Sequence, residues 1–448
     1  MSTVAVHAPT KSQRAKAITA GALGNFIEWF DFVAYGALAT IIAPRFFPSA
    51  DSSASLLATF GAFAVALLFR PVGGVLFGIV ADRYGRRVSL STSVLLMSAA
   101  TAGIGLLPTA DVIGTWAAVF MVLMRSVQGL AVGSEWSSSA IYLAEYGSAR
   151  PRAMWATFTT VGSFAGSATG VAFVAALTNV LGDEVMQAWG WRIPFILALP
   201  LGLVGLYMRI RLQDTPDYVA MKENNDIEPA PLRAALRGYW REMLVIFGGA
   251  LTSAAVAFIV VSYFVTYMTG VVGVSRSTAL LTNTIAIFLA VPATILSGAI
   301  ADRIGRKPVF FSLMIAAAAL ALPMFILIES GKFWSMLIGQ AILAMTVAGM
   351  AAPLAVMCVE LFPPNIRAAA SGAAYSLGTS ITGGLSPLVA VWLVSVTGSA
   401  LAPSYYIIGV IVIGAFLTIT FLGQVKARNN ASERDLSKCD PDLVQVRS

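Results

Sequence analysis

The sequence predicts an all-α membrane protein of twelve transmembrane helices, arranged as two pseudo-symmetric six-helix bundles. Three observations carry this expectation. Apolar residues make up 58% of the 448 and charged residues only 11%, with a mean hydropathy of +0.80. Soluble domains run at roughly 45–50% apolar and about 25% charged. Twelve runs approach the length of about 20 apolar residues that a spanning helix needs. Finally, one charged loop occurs twice, at matching places in the two sets of six.

The runs fall near 17–46, 55–80, 88–107, 112–143, 154–180, 192–210, 243–272, 278–301, 308–328, 333–358, 368–397 and 404–423. They divide the chain into an N-terminal tail (1–16), a first bundle (17–210), a linker (211–241), a second bundle (242–423) and a C-terminal tail (424–448). The linker holds the longest polar stretch, with Arg211, Asp214, Lys222, Glu223, Arg233 and Arg237 among its charges. The C-terminal tail is hydrophilic and lacks sustained heptads, so it is expected to be largely disordered.

With an even number of spans both termini share one side. Twenty-three of the 29 lysines and arginines fall on that side and four on the other, Arg70 and Arg125 lying inside helices. The bias places both termini in the cytoplasm. It also accounts for the net charge of +7 as a topology signal, so no nucleic-acid partner is expected. The first 16 residues lack a signal peptide's apolar segment, and the first helix is expected to remain as an anchor. Cys358 and Cys439 are not placed to form a disulfide, and the lone histidine, His7, lies in the tail. No cofactor, metal or disulfide is implied.

The duplication is the informative feature. Gly78-Ile-Val-Ala-Asp82-Arg83-Tyr-Gly85-Arg86-Arg87 joins spans 2 and 3, and Gly298-Ala-Ile-Ala-Asp302-Arg303-Ile-Gly305-Arg306-Lys307 joins spans 8 and 9, 220 positions on. Glu145 and Arg152 after span 4 recur as Glu360 and Arg367 after span 10, offset by 215. Parallel repeats of this kind are a transporter signature, with the ligand site between the halves near the bilayer midplane.

The doubled G-x-x-x-D-R-x-G-R-[RK] loop resembles the signature of the major facilitator superfamily. Further stretches resemble its metabolite:proton symporter branch: Gly24-Asn25-Phe-Ile-Glu28-Trp29-Phe-Asp31-Phe, Arg70-Pro71-Val-Gly73-Gly74, Arg125-Ser-Val-Gln128-Gly129, Trp189-Gly-Trp191-Arg192-Ile-Pro194-Phe and Glu360-Leu-Phe-Pro363. The resemblance covers about residues 15–425. The chain departs from it after span 4: many members read glycine-glycine-glutamate where this one has Gly133-Ser134-Glu135-Trp136-Ser137.

Simple positive-inside anchoring explains the repeated arginines but neither the aspartates nor the glycines. Gly78 and Gly298 permit close helix approach. Asp82, Arg83, Arg86, Glu145 and Arg152, with Asp302, Arg303, Arg306, Glu360 and Arg367, lie at one depth. Charge-assisted bonds among them would latch the cytoplasmic helix ends together, and release would open the site inward. The resemblance implies the same gating role.

Charges within spans cost about 2.5–3.5 kcal/mol each on insertion scales and are functional candidates by default. The competing reading is that they are buried ion pairs fixing helix packing. Gly24, Glu28, Asp31 and Tyr35 line one helical face. Glu28, Asp31 and Glu135 against Arg70 and Arg125 leave a formal −1. One carboxyl is then short of a partner, and Glu28 or Asp31 is expected to carry a proton, with Glu135 next in line. Arg70 and Arg125 can instead receive a substrate carboxylate, since a guanidinium matches it bidentately. Asn25, Tyr35, Gln128, Tyr263, Tyr267 and Tyr375 complete the expected substrate site, although an aromatic in a membrane helix is often packing. Gly162, Gly166 and Gly170 in span 5 read as a helix contact. That stretch lacks the antiporter signature, which favours symport.

No P-loop, metal cluster or nucleophile–base pair appears, so no enzyme is expected. A sensor would need a signalling domain that the short tail does not supply. The expected function is proton-coupled import of a small polar metabolite by alternating access, across the cytoplasmic (inner) membrane, with a monomer as the functional unit. The resemblance implies carboxylates such as 2-oxoglutarate, citrate or shikimate, or zwitterionic osmolytes such as proline, betaine and ectoine. Two buried arginines favour the carboxylates; the stretch around Pro387 and Pro403-Ser-Tyr405-Tyr406 keeps the osmolytes open.

Overall fold

Apolar runs this long, in a solvent that cannot satisfy backbone groups, have to close their hydrogen bonds internally as helices. The computed structural model describes residues 11–439 apart from 134, 147–151 and 212–213, without the side chains of 11–17, 52, 53, 56, 146, 152, 183, 216, 217, 276 and 426–439. The first half runs α1 (Lys11–Ala37), α2 (Ala39–Phe46), α3 (Ser52–Tyr84), α4 (Arg86–Leu106), α5 (Ala110–Ile113), α6 (Trp116–Val132), α7 (Glu135–Tyr146), α8 (Arg152–Ala188) and α9 (Ile193–Ile210). Two short helices follow, α10 (Pro216–Glu223) and α11 (Pro231–Gly238). The second half runs α12 (Trp240–Phe258), α13 (Phe264–Tyr267), α14 (Arg276–Ile304), α15 (Arg306–Glu329), α16 (Phe333–Glu360), α17 (Arg367–Thr397) and α18 (Ala402–Cys439).

Among the described residues eleven helical spans are long and apolar enough to cross a membrane, and α1 with α2 form a bent pair that makes a twelfth. That first run was expected to be continuous. It bends by 70° between α1 and α2, in a stretch flanked by Gly36 and by Pro44, whose ring disrupts the helical ladder. The fourth run forms one span from Trp116 to Glu145, described as α6 and α7 on either side of residue 134. The segment between the halves, expected only as a polar linker, carries α10 and α11. The C-terminal tail, expected to be disordered, continues α18 as helix to Cys439.

Within the first half α1 packs on α8, α3 on α6 and α4 on α9; within the second, α12 packs on α17 and α18, and α16 on α14 and α15. The halves meet along α3 with α17 and along α8 with α14. Gly162, Gly166 and Gly170 turn toward the α1 carbonyls of Ala22, Phe26 and Phe30, where any β-carbon would collide. The span that begins as α12 continues through two π-helical segments, Ile259–Tyr263 and Met268–Val272, on either side of α13. Asn283 Nδ2 donates to the Val260 carbonyl there at 2.8 Å.

The two Asp-Arg loops share one face, called here the basic face. Both turn through a glycine in the positive-φ region, Gly85 (φ 108°) and Gly305 (φ 100°), a conformation that disfavours any β-carbon.

Candidate functional site: a cavity between the halves and a latch on the basic face

A cavity of about 70 Å³ lies between the halves. The first half contributes Trp29, Arg70, Trp136, Thr160 and Ser163 to its wall, and the second contributes Ser253, Phe258, Tyr375 and Thr379. Two ring pairs cross it. Trp136 of α7 stacks on Tyr375 of α17 with centroids 4.1 Å apart and planes within 9°, and Trp29 of α1 meets Phe258 of α12 at 5.6 Å.

Behind this wall the first half buries three ion pairs. Arg70 Nη2 lies 2.9 Å from Glu28 Oε1, and neither Glu28 oxygen accepts a hydrogen bond. Asp31 is tied more fully: Gln128 Nε2 donates to its Oδ2 at 2.7 Å, and Arg125 Nη1 stands 3.7 Å away. Arg125 in turn donates to Gln128 Oε1 at 2.9 Å and lies over the Tyr35 ring at 3.5 Å. Glu135 forms the third pair, with Arg209 of α9. Ser93 Oγ donates to Glu135 Oε2 at 2.6 Å, while Arg209 also donates to the carbonyls of Leu90 and Ala20.

That third pair corrects the charge count. Arg209 reads in sequence as a flanking residue at the end of an apolar run, yet it is 1% exposed inside the bundle. Three acids therefore face three arginines, and the formal −1 disappears. Glu135, expected as a secondary proton carrier, is instead held by Arg209 and Ser93.

The expected substrate residues separate. Arg70 and Tyr375 line the cavity; Asn25, Tyr35, Arg125, Gln128, Tyr263 and Tyr267 do not. Asn25 donates to the Gly21 carbonyl at 3.2 Å and Tyr35 to the Thr59 carbonyl at 3.1 Å, both inside the first half. Tyr263 and Tyr267 pack against each other, and Tyr267 against Phe325, within the second half. Trp29, Trp136, Thr160, Ser253 and Phe258 were missed, since among so many apolar and small residues nothing in the pattern sets them apart.

On the basic face each half's loop aspartate binds the first turn of a helix from the other half. Asp82 accepts from the backbone N–H groups of Ala368 (3.2 Å) and Ala369 (2.8 Å) at the start of α17, and from Arg86 Nη1 at 2.6 Å. Asp302 accepts from Ala153 (3.0 Å) and Met154 (2.9 Å) at the start of α8. A carboxylate at a helix N-terminus satisfies orphan donors and complements the dipole. Gly78 and Gly298 make room for the approach: a β-carbon would overlap the Ala369 backbone at one and Thr157 at the other. Arg367 pairs with Glu145 across the halves, and Arg86 reaches the Pro364 carbonyl at 2.9 Å.

The two latches differ in wetness. Asp82 and Arg86 are 1% and 0% exposed as side chains and 2.6 Å apart, whereas Asp302 and Arg306 are 9% and 25% exposed and 3.9 Å apart. Expected gate residues also depart from the cluster. Arg83 donates to the Pro229 carbonyl of the linker, Arg303 is exposed, and the side chain of Arg152 lies outside the described residues. The linker covers the first latch. Asp214 accepts from the Arg87 N–H at 2.9 Å, and Tyr218 donates to the Arg83 carbonyl at 2.9 Å. Burial, and then the nearby Asp214 carboxylate, raise the Tyr218 phenol above its usual pKa, keeping it a donor.

A family model described as Sugar (and other) transporter matches residues 17–231, and one described as Major Facilitator Superfamily matches 245–438. A glycine betaine/proline/ectoine/pipecolic acid transporter of Dickeya dadantii is 36% identical over 413 residues, 89% of this chain and 81% of the relative. The chain belongs to the major facilitator superfamily. This facilitator is also similar to the proline/betaine transporter of Escherichia coli K12, at 34% identity over 90% of this chain and 83% of the relative. A putative proline/betaine transporter of Staphylococcus aureus is 35% identical over 91% of this chain and 88% of the relative. A solved proton:xylose symporter superposes with a TM-score of 0.76 at 19% identity, over 93% of this chain and 97% of that one, which shows the shared fold. The facilitator is thus a multi-pass membrane transporter and not an enzyme.

These relatives overturn the expected carboxylate substrate. The physical reason lies in the cavity. The expectation rested on two arginines facing the substrate, and Arg125 instead lies behind the wall with Asp31 and Gln128. Arg70 alone reaches the cavity, with its charge already balanced by Glu28. No surplus positive charge meets a di- or tricarboxylate there.

Proposed function

We propose that this facilitator imports zwitterionic osmolytes of the betaine and proline type together with protons, by alternating access, across the cytoplasmic membrane with both termini in the cytoplasm. One observation carries the substrate class: the cavity wall combines a single guanidinium, Arg70, with five aromatic rings, Trp29, Trp136, Phe164, Phe258 and Tyr375. A guanidinium matches a carboxylate, and aromatic faces attract a quaternary or secondary ammonium. The names of the similar transporters point the same way.

Proton coupling follows from charge balance at the Glu28–Arg70 pair. A substrate carboxylate docking on Arg70 brings a second negative charge to one guanidinium in a dry site. Two carboxylates that share such a site do not both stay ionised. Glu28, with no hydrogen-bond donor of its own, is the one that takes up a proton. Asp31 keeps its amide and guanidinium partners and serves the packing of the bundle. The latches on the basic face hold the cavity shut toward the cytoplasm, and their release exposes it inward.

The test is counterflow in proteoliposomes against radiolabelled glycine betaine, proline, ectoine, citrate and 2-oxoglutarate, with and without a pH gradient. Betaine and proline exchange, and an inwardly directed proton gradient drives their accumulation. Exchange of the carboxylates alone would overturn the substrate class, and exchange without gradient-driven accumulation would overturn the coupling.

A further inference from the structure

We propose that the cavity is divided into two subsites, and that the Trp136–Tyr375 pair parts to take a methylated ammonium between its ring faces. The proposal rests on the zwitterion reading above and deepens it. Three structural features carry it.

First, the two rings come from opposite halves and lie face to face at 4.1 Å. Aromatic pairs usually settle at 4.5–7 Å in offset or edge-to-face arrangements, because their negative faces repel. A cation between the faces would convert that repulsion into attraction on both sides. Second, both rings belong to the wall of the cavity between the halves, so parting them enlarges that cavity where a substrate would sit. Third, Arg70 and both rings line one cavity, as the two ends of a short zwitterion require.

The carboxylate end has its own lining. Arg70 Nε, Thr160 Oγ1 and Ser253 Oγ are buried polar atoms of this same wall that have no hydrogen-bond partner. Buried polar groups are ordinarily paired, and a carboxylate supplies an acceptor to all three. Trp29 and Phe258 are tilted by 47° rather than parallel, and serve as a side wall.

Matched competitors separate the subsites. In 3,3-dimethylbutyrate a carbon replaces the betaine nitrogen, so shape and carboxylate remain while the cation is gone; choline keeps the cation and lacks the carboxylate. Inhibition of betaine counterflow by each is measured for wild type, Tyr375→Phe, Tyr375→Leu and Thr160→Val. In wild type each competitor is about tenfold or more weaker than betaine. Tyr375→Phe keeps the ratio of dimethylbutyrate to betaine, and Tyr375→Leu brings it toward one. Thr160→Val lowers the preference for betaine over choline. Trp136→Leu provides the same comparison if Tyr375→Leu does not reach the membrane. A Tyr375→Leu or Trp136→Leu protein that transports betaine with the wild-type ratio overturns the subsites while leaving the zwitterion reading intact. Wild type that exchanges no zwitterion removes both.

Discussion

Glu28 and Arg70 meet at 2.9 Å immediately behind the cavity wall, and Glu28 accepts no hydrogen bond. Three residues on, Asp31 is held by Gln128 and faces Arg125. Two acids on one helical face thus differ in what protonation would cost them. Neutralising Glu28 gives up one contact, and a substrate carboxylate at Arg70 replaces it. Neutralising Asp31 breaks into a network that includes Gln128, Thr101 and Tyr35.

Glu28→Gln is therefore expected to keep betaine counterflow and to lose accumulation driven by a proton gradient. Both are read from the same proteoliposomes. Asp31→Asn is expected to lower the amount of folded protein, by the order of 3–5 kcal/mol that follows when a buried ion pair loses one partner. Gradient-driven accumulation by Glu28→Gln would show that another group carries the proton.

The latches predict unequal effects from equivalent changes. Asp82→Asn replaces a buried acceptor of two helix N–H bonds and one arginine bond, each charge-assisted contact being worth about 1.5–3 kcal/mol. Turnover is expected to fall more than tenfold while substrate binding survives. Asp302→Asn is expected to cost less than Asp82→Asn, since its arginine contact is 3.9 Å long and partly hydrated, and such pairs contribute about 0–1 kcal/mol. Uptake rates set against equilibrium binding decide this, and equal losses would remove the asymmetry.

Glu135→Gln is expected to act on stability. It leaves the Arg209 guanidinium buried without its counter-charge, and a detergent-solubilised variant should unfold at a lower temperature than wild type. Gly24→Ala should do the same, because its β-carbon would overlap both Arg209 and Glu135. Neither is expected to abolish coupling selectively in the protein that remains folded, which the ratio of accumulation to counterflow reports.

Much of this was legible in the sequence because charge is rare in it. Asp82 and Asp302 stood out by recurring, and Glu28, Asp31, Arg70 and Arg125 by interrupting apolar runs. Arg209 was missed since it ends such a run, where a long side chain normally snorkels to the interface; only the structure shows it turned inward to Glu135. The aromatic wall was missed for the opposite reason. Trp136 and Tyr375 sit among many apolar residues, and their stacking depends on how α7 and α17 meet. Tyr263 and Tyr267 misled because the π-helical segments beside them reset the face a helix presents. The repeat also hid a difference. Gln340 stands 215 positions after Arg125, and with Asn283 and Thr282 it builds a neutral network where the first half has a charged one.

The central claim is that substrate at Arg70 drives a proton onto Glu28. Proton uptake by the purified protein in weakly buffered detergent solution, on addition of glycine betaine, tests it most directly. Wild type is expected to take up about one proton per bound betaine, and Glu28→Gln to bind betaine with none. Betaine binding without proton uptake in wild type, or undiminished uptake in Glu28→Gln, would contradict it.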